Sequence, residues 1–199
     1  MKTSSTLLAI AYSLVLTTSM FAEETLLVDP FTAEPVSARR AMRGDWRIAE
    51  GIARCTQDDE LYKKYKDHGP ILFYDLPYQD AVVRFQYRPH GARSVVFTMN
   101  SQEGHVLRVI TTERGTDVRA FPPGEGVKSI SLQRVADLPL VDDEWTSVEV
   151  SLRGDRALVK INDKQVADVS HATFRAAKSN LSVGFSFGTL EVRGLSVTH

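Results

Sequence analysis

Apolar and polar residues alternate along much of the chain with the period of a β-strand. In the segment AVVRFQYRP, Val83, Phe85 and Tyr87 fall on one side, whereas Arg84 and Arg88 fall on the other. Successive side chains of a strand point to opposite faces of a sheet, so this segment predicts a strand with one core face and one polar face. The segments SVVFTMN and HVLRVITT follow as predicted strands, the first after HGA, a short hairpin link.

The segment EWTSVEVSLRGDRALVKINDKQVAD predicts two consecutive hairpins. Apolar residues recur at every second position in residues 146–152 and again in residues 157–161. Gly154 can adopt a positive φ in the turn between these two strands. Asn162 and Asp163 tolerate the left-handed region, so they predict a second turn that leads into a third strand.

The closing segment LSVGFSFGTLEVRGLSV predicts two strands and an irregularity within the second of them. The apolar set of that strand shifts from Leu190 and Val192 to Leu195 and Val197, on either side of Gly194. A single inserted residue produces such a shift of parity. Gly194 therefore predicts a β-bulge.

The segment DDELYKKYKD departs from this alternation. Acidic residues stand at its front and lysines near its end, which matches the dipole of a helix. Gly69 and Pro70 follow it and would end a helix. We expect at most one short surface helix, near residues 58–66.

Many short alternating strands separated by turns predict an all-β fold. One apolar face per strand favours a two-sheet antiparallel β-sandwich, which we assign to residues 23–199 as a single domain. The predicted core comes from strands throughout this range. It includes Trp46, Ile48, Phe85, Tyr87, Val148, Val150, Val159, Ile161, Val183, Phe185 and Phe187.

The first 22 residues have the order of a secretory signal peptide. Lys2 precedes an uncharged, largely apolar run at residues 7–16, and small residues follow. The run is shorter than the about 20 residues that span a membrane. We expect cleavage after Ala22, or alternatively after Ser19, and export to the periplasm or the medium without membrane insertion. A buried N-terminal helix is the alternative.

Charge and cysteine content narrow the possible partners. The formal net charge is −1, which gives no basic field for nucleic acid. Cys55 is the single cysteine, so no disulfide can form within the chain. Stability must then come from apolar burial. Cys55 is interpreted as a small buried hydrophobe, the alternative being a reactive thiol or one that forms an interchain disulfide.

Four stretches of the chain resemble the segments of one protein family. They are GDWRIAEG, GPILFYDLPYQDAVVRFQYRP, DDEWTSVEVSLRGDRALVKINDKQVAD and LSVGFSFGTLEVRGLSV. Their order resembles the concanavalin A-like lectin/glucanase jelly roll, and more narrowly the bacterial exported domains called 3-keto-disaccharide hydrolase, formerly a domain of unknown function. The resemblance implies a jelly-roll sandwich and a hydrolase of 3-keto-disaccharides or other glycosides.

The chain departs from this resemblance on its central strands. Family members commonly carry an Asn-Ser-Gly segment and a Tyr-Glu pair there, but this chain has RSVVFTMNSQEG and GHVLRVITTE. The Glu-x-Asp-x-x-Glu stretch of the sandwich glucanases is missing as well. Glycoside hydrolysis usually needs two carboxylates, so the departures weaken the prediction of a hydrolase and leave the catalytic residues unassigned.

The candidate ligand-binding residues occupy the polar faces of two predicted strands. They are Arg84, Gln86, Arg88, Arg108 and Thr112. Guanidinium groups in a row suit sugar hydroxyls or carboxylates, because each presents a rigid fork of donors. We expect these side chains to share one groove. The alternative is a solvated sheet face on which the arginines pair with acids such as Glu149.

Other residues offer weaker candidates. Trp46 and Trp145 are possible stacking platforms for sugars, although Trp145 at a strand entrance is more typical of a core edge. Three consecutive acids at residues 142–144 have oxygen ligands that suit calcium, but nothing in the sequence fixes their geometry. The five histidines are scattered without metal-ligand spacing. We therefore expect neither a metal nor another cofactor.

Three functions remain open at this stage. The leading hypothesis is an exported protein that binds a glycan or disaccharide on its polar sheet face or its rim loops. The second is the glycoside hydrolase that the family resemblance implies. The third is a non-catalytic module for protein interaction. One fold hosts all three functions, so the fold alone does not select among them.

Overall fold

The structure is a computed structural model that describes residues 23–199. The expected signal peptide, residues 1–22, lies outside the described residues. The described chain is mostly strand, with one short helix, Asp59–Lys64 (α1), and a 3-10 turn at Ala172–Arg175. Within this range, no helix is long and apolar enough to cross a membrane.

Fifteen strands make up most of residues 23–199. In chain order they are β1 (Thr25–Asp29), β2 (Arg39–Met42), β3 (Arg47–Ala49), β4 (Ile52–Thr56), β5 (Ile71–Tyr78), β6 (Ala81–His90), β7 (Ser94–Ser101), β8 (Gly104–Thr112), β9 (Gly115–Ala120), β10 (Ile130–Val135), β11 (Thr146–Arg153), β12 (Arg156–Ile161), β13 (Lys164–Ser170), β14 (Lys178–Ser186) and β15 (Thr189–Thr198).

The strands form two antiparallel sheets that pack face to face. The eight-stranded sheet has the order β13-β12-β11-β6-β15-β4-β3, and β1 pairs with the C-terminal half of β15. The seven-stranded sheet has the order β10-β9-β8-β7-β14-β5-β2. The rings of Phe85 and Phe97, one from each sheet, lie 5.4 Å apart between centroids. The expected all-β, two-sheet antiparallel sandwich is confirmed.

The two hairpins predicted around β12 are present. Val150 of β11 pairs with Val159 of β12, which places the alternating apolar residues on one face. The turn into β13 contains Asn162 and Asp163 at φ values of 49° and 61°, both in the left-handed region. Asn and Asp enter this region more readily than other non-glycine residues, so the short turn agrees with the sequence.

The HGA segment is not a hairpin link, contrary to the expectation. Strand β6 pairs with β11 and β15 in the eight-stranded sheet, whereas β7 pairs with β8 and β14 in the other. The chain therefore crosses between sheets at residues 91–93. Alternation predicted β6 and β7 correctly, because each strand has one apolar face. Two strands joined by a hairpin and two strands joined by a crossing between sheets both show this pattern, so alternation could not distinguish the two connections.

The bulge predicted at Gly194 is present in β15. The pairing of β15 with β6 shifts register between Arg193 and Ser196, and Gly194 has a φ of 62°. The shift brings Leu195 and Val197 into the core beside Leu190 and Val192.

Most of the predicted core is buried between the sheets. The buried members are Phe85, Tyr87, Val148, Val150, Val159, Ile161, Val183 and Phe185. Trp46 and Ile48 are partly buried and pack against this core. Phe187 is a wrong prediction, because it lies beyond the end of β14 at a φ of 63° and leaves the alternation there. Its ring contacts Tyr62 and Arg93 at the surface.

The expected short helix is α1. Asp58 caps its N-terminus by accepting hydrogen bonds from the backbone N–H groups of Glu60 and Leu61. The segment that follows α1 returns to the seven-stranded sheet at Gly69. A Cβ atom at Gly69 would lie 2.0 Å from the carbonyl oxygen of Phe185, so only glycine permits this approach.

A buried ionic cluster joins the two sheets near the start of the described chain. Asp29 of β1 accepts a 2.7 Å hydrogen bond from the Tyr74 hydroxyl, and Arg39 binds both of its carboxylate oxygens at 2.9 and 3.1 Å. The backbone N–H of Phe31 donates to the same carboxylate. The Asp29 side chain is fully buried, and these donors compensate for its lost hydration.

Cys55 faces the core and is buried. Burial raises the pKa of its thiol to about 12, so the reactive thiolate is scarce near neutral pH. This placement agrees with the interpretation of Cys55 as a small buried hydrophobe.

Candidate functional site

Three of the candidate residues, Arg84, Gln86 and Arg88, lie on the outer face of the eight-stranded sheet. Arg84 Nε donates to Glu149 Oε2 at 2.7 Å, and Lys160 binds the other oxygen of the same carboxylate at 2.8 Å. Gln86 accepts from Arg193 Nε at 2.7 Å. The pairing with Glu149 is the one expected for a solvated sheet face.

Arg88 belongs to a second ionic cluster on this face, centred on Glu191. The Glu191 carboxylate accepts from Arg88 Nε and from Arg54 Nη1, each at 2.7 Å, and His90 Nε2 lies 3.2 Å from it. Glu191 is only 5% exposed. Burial opposes its charge, but the hydrogen bonds from Arg88, His90 and Arg54 outweigh burial and lower the pKa of the carboxyl.

Trp145 also lies on this outer face, and it is covered by cations. The guanidinium carbons of Arg193 and Arg88 lie 3.9 and 4.8 Å from its ring centroid. A sugar that stacked on Trp145 would have to displace these contacts. The depression beside Arg84 on this face is small, with a volume of about 260 Å³.

Arg108 and Thr112 do not share a groove with Arg84, Gln86 and Arg88, contrary to the expectation. They lie on β8, in the seven-stranded sheet. The two sets therefore occupy opposite outer faces of the sandwich. The crossing at residues 91–93 causes this separation, because it carries the chain from one sheet to the other between β6 and β8.

The outer face of the seven-stranded sheet carries an open groove of about 600 Å³. We call it the Arg108 groove. Strands β5, β14, β7 and β8 form its floor, and the segment after α1 forms one wall. Its polar lining includes Arg43, His68, Thr98, Asn100, His105, Arg108, Asn180 and Ser182, and its apolar lining includes Ile71, Phe73 and Val96.

Strand register arranges the polar side chains of the groove floor in two rows. Asn100 of β7 lies opposite Asn180 of β14, and Asn100 Nδ2 donates to Asn180 Oδ1 at 2.7 Å. In the next row, Thr98 lies opposite both Ser182 and Arg108. Alternate residues on one face of a strand are about 7 Å apart. The rows are therefore separated by roughly the width of a sugar ring.

His105 links the two rows. Its Nδ1 lies 2.6 Å from Asn100 Oδ1, and its Nε2 lies 2.5 Å from Arg108 Nη2. The residue is partly exposed, but desolvation of its ring nitrogens by these neighbours lowers the pKa of the imidazole to about 4, and the charge of Arg108 adds to this effect. His105 is therefore neutral near pH 7, with Nε2 accepting from the guanidinium and Nδ1–H donating to the amide oxygen.

Arg108 is held by its ring neighbour and by His105. Its guanidinium carbon lies 5.0 Å from the ring centroid of Phe121. Burial lowers the pKa of Arg108, although an arginine remains charged under ordinary conditions. Its Nε atom is buried without a hydrogen-bond partner among residues 23–199.

A second cavity of about 550 Å³ adjoins the Arg108 groove and shares His105 and Ser101 with it. Its lining is mainly apolar and comes from Val106, Phe121, Pro122 and the 3-10 turn.

The groove contains little chemistry of the kind that hydrolysis needs. Its lining includes one carboxylate, Asp67, from the wall after α1. Within residues 23–199, no three His, Cys, Asp or Glu side chains converge as metal ligands would. Two of the three acids at residues 142–144, the candidate calcium ligands, make contacts within the protein. Asp142 accepts a hydrogen bond from the backbone N–H of Gly91, and Asp143 contacts His90.

Sequence analysis missed Asn100, Asn180 and His105 as site residues. The signal was available for the asparagines, because each falls on the polar set of an alternating strand. What the sequence lacked was the pairing of β7 with β14, which are about 80 residues apart and meet only through the fold. His105 departs from the alternation, since the register of β7 and β8 shifts beside Asn100.

Several solved sugar-related proteins share this fold. A non-specific endo-beta-1,3(4)-glucanase from family GH16 has a TM-score of 0.65 at 10% identity, over 89% of this chain and 91% of that one. The carbohydrate-binding module CBM66 from Bacillus subtilis has a TM-score of 0.61 at 10% identity, over 81% and 96%. A tetrameric galectin from the sponge Cinachyrella sp. has 0.55 at 12%, over 65% and 100%.

These likenesses confirm the concanavalin A-like jelly roll and, at such identities, concern the fold alone. No curated protein matches the chain. A family match covers most of the sandwich: residues 38–191 match the 3-keto-alpha-glucoside-1,2-lyase-like domain. That range includes the four central strands of the Arg108 groove. The chain therefore belongs to the family of 3-keto-alpha-glucoside-1,2-lyase-like domains, as its strand and turn motifs predicted.

Proposed function

We propose that the protein binds a saccharide in the Arg108 groove. The observation that carries the proposal is the cluster of Asn100, Asn180, His105 and Arg108 on the floor of an open cavity of about 600 Å³. Cavities of roughly 300–1,000 Å³ are typical of small-molecule sites. The arginines of the eight-stranded sheet are engaged in ion pairs, so they are less suited to this role.

The chemistry of the groove suits sugar hydroxyls. Amide side chains offer both donors and acceptors, and the hydroxyls of Thr98 and Ser182 do the same in the next row. The apolar floor beside them, from Val96 and Ile71, suits the C–H face of a sugar ring. The names of the carbohydrate-binding module and the galectin with the same fold support this proposal.

Substitution of the amide pair tests the proposal. We expect Asn180→Ala to weaken saccharide binding by about 1–3 kcal/mol, since a hydrogen-bonding partner of the ligand is lost. Calorimetry with residues 23–199 and ligands selected on a glycan array would measure the change. Arg84→Ala on the opposite face is the matched control and should leave binding unchanged. Equal weakening by both variants, or loss in Arg84→Ala alone, would place the site elsewhere.

The family match to 3-keto-alpha-glucoside-1,2-lyase-like domains favours a second candidate function, a 1,2-elimination on a 3-keto-glucoside. In such a reaction a base removes the C2 proton beside the C3 carbonyl, the bond from C1 to the leaving oxygen breaks, and a C1–C2 double bond forms. The proton finally reaches the departing alcohol. This chemistry needs one base and not a carboxylate pair, so a groove with one carboxylate is compatible with it.

Turnover distinguishes the two candidates. Release of the alcohol from a 3-keto-glucoside together with a sugar that has a C1–C2 double bond would support elimination. Binding of the same compound without release would leave saccharide binding as the function. Formation of the free 3-keto sugar by hydrolysis, without any unsaturated intermediate, would instead favour the hydrolase predicted from the family resemblance.

Export belongs to the same proposal. We infer that residues 1–22 are removed and that the sandwich acts in the periplasm or the medium. Mass spectrometry of the protein from its native host should then find an N-terminus at Glu23, or at Met20 for the alternative cleavage. An intact Met1 on protein purified from the cytoplasm would contradict export.

A further inference from the structure

We infer that the Arg108 groove selects a saccharide that carries an anionic group, which docks on Arg108 while Arg43 adds positive charge to the same groove. This inference rests on the proposed binding of a saccharide and adds the class of ligand. It concerns a carboxylate, sulfate or phosphate borne by the sugar, since a guanidinium fork matches the oxygens of all three.

The first observation is a pair of unsatisfied guanidinium groups. Within residues 23–199, the Nε atoms of both Arg43 and Arg108 are buried and have no hydrogen-bond partner. Both side chains line the same groove. A buried donor without a partner costs free energy, and buried polar groups are nearly always satisfied in folded proteins. These two Nε–H groups are closed to solvent, so an anion in the groove would engage the other N–H donors of the same guanidinium groups.

The second observation is the distribution of carboxylates. Arg84, Arg88 and Arg54 on the opposite face each pair with Glu149 or Glu191 at 2.7 Å. Neither Arg43 nor Arg108 has a carboxylate within 4.0 Å among the described residues. The groove thus holds positive charge that the protein itself does not neutralise.

Aromatic contacts hold the two guanidinium groups in place. Arg43 lies 5.5 Å from the ring centroid of Tyr65, and Arg108 lies 5.0 Å from that of Phe121. Such contacts fix the position of a cation without consuming all of its N–H donors. Asp67 is the one carboxylate in the lining, against the two guanidinium groups of Arg43 and Arg108. An incoming anion would therefore meet a net positive surface.

The row arrangement of the floor separates the two halves of such a ligand. The Asn100–Asn180 row offers neutral hydrogen bonds for ring hydroxyls. The next row, about 7 Å along the strands, contains Arg108 beside Thr98 and Ser182. A pyranose ring over the amides would place an exocyclic acidic group near this second row. A neutral hexose would leave both guanidinium groups unsatisfied.

Calorimetry on residues 23–199 tests the inference with matched sugars. The ligands are methyl glucoside, methyl glucuronoside, methyl glucoside 6-sulfate and methyl glucoside 6-phosphate, at one ionic strength. We expect at least one acidic sugar to bind about tenfold or more tightly than methyl glucoside, as charge-assisted hydrogen bonds would give. The preference should shrink as salt is raised, because salt screens charge pairs that solvent can reach.

Variants assign the preference to the two arginines. Arg43→Gln and Arg108→Gln should each reduce the affinity for the preferred acidic sugar toward that for methyl glucoside. Arg84→Gln, which removes an equal charge from the opposite face, should preserve the preference. Far-ultraviolet circular dichroism and the Tm of each variant confirm that it is folded. If a variant fails to fold, Arg43→Lys or Arg108→Lys replaces it. Lysine keeps the positive charge but lacks the planar guanidinium, so a reduced affinity for the acidic sugar then supports a contact with the guanidinium fork.

Each outcome decides the inference separately from the proposed function. If methyl glucoside binds as tightly as every acidic sugar, the inference is wrong and saccharide binding stands. If sodium acetate and sodium sulfate bind as tightly as the acidic sugars, the site takes free anions and the inference is again overturned. If no sugar binds, the proposed function fails and the inference fails with it.

Discussion

The contact between His105 and Arg108 joins two groups that often both carry positive charge. An arginine keeps its charge in proteins, so the contact is favourable only if His105 Nε2 is unprotonated. Asn100 Oδ1 then accepts a hydrogen bond from Nδ1–H of the same ring. Arg108 and Asn100 thus select one tautomer of the neutral imidazole, and this selection defines which donors the groove offers to a ligand.

The titration of His105 tests this arrangement. We expect a pKa of about 4, below the ordinary value of about 6.5 for histidine. Between these two pH values the unfolded chain binds more protons than the folded chain. This group therefore lowers the free energy of unfolding as the pH falls through that window. Nuclear magnetic resonance of the ring protons measures the pKa. Arg108→Gln should raise it, and an ordinary value in the unmodified protein would refute the assigned tautomer.

The buried Asp29 predicts a large effect of a small substitution. Asp29→Asn leaves Arg39 without its carboxylate, and we expect it to lower the free energy of unfolding by about 3–5 kcal/mol. Urea denaturation measures this change. Asp75→Asn is the control, since the Arg40–Asp75 pair is solvent-exposed and such pairs contribute about 0–1 kcal/mol. Similar losses in the two variants would show that the Asp29 cluster contributes no more than a surface pair.

At the scale of single residues, the sequence showed which arginines face outward but not what they meet. Arg84 and Arg108 each fall among the polar residues of a strand in which polar and apolar residues alternate. One is neutralised by Glu149, about 65 residues away, whereas the other has no carboxylate beside it. Charge pairing across a sheet depends on register between distant strands, so it could not be read from local pattern.

At the scale of elements, two glycines of the sandwich are required for different reasons, one for its backbone conformation and the other for lack of space. Gly194 has a φ of 62° at the bulge, with no atom within 4 Å of an added Cβ. Gly69 has ordinary backbone angles, but an added Cβ would lie 2.0 Å from Phe185 O. The first position needs glycine for its conformation and the second for space.

These two glycines lead to different expectations. Gly194→Ala should lower the free energy of unfolding by about 1–2 kcal/mol, the cost of a left-handed backbone with a Cβ. Gly69→Ala should cost more, because the backbone of β14 must move, and it should also weaken saccharide binding by displacing the wall of the groove. Thermal unfolding and calorimetry measure both effects. Equal stability losses without any change in binding would contradict the assigned role of Gly69.

Local pattern predicted the elements well where neighbours in sequence are also neighbours in space. The hairpins of β11, β12 and β13, the bulge at Gly194 and helix α1 all depend on nearby residues. Phe187 was placed in the core because the alternation was extended past the end of β14. The backbone there turns toward β15 in the other sheet, so the parity of the strand no longer applies.

At the scale of the whole molecule, the assignment of strands to sheets decided the site. The two-sheet sandwich followed from one apolar face per strand, but the connection from β6 to β7 looked like a hairpin in the sequence. It is a crossing between the sheets, and it moved Arg108 and Thr112 to the opposite face. The result is a molecule whose outer faces differ: one is covered by ion pairs, and the other holds the open groove.

The pairing of β1 with β15 brings the two ends of the sandwich together. Thr25 lies opposite Thr198, and the N–H of His199 donates to Glu24 O at 2.8 Å. A short Gly/Ser linker could therefore join these ends, and the chain could be reopened at the Asn162–Asp163 turn. Such a circular permutant should fold and keep the groove intact, since the cut at this turn falls in none of the groove strands. It would place both new ends on the eight-stranded sheet, where a fluorescent reporter could be fused.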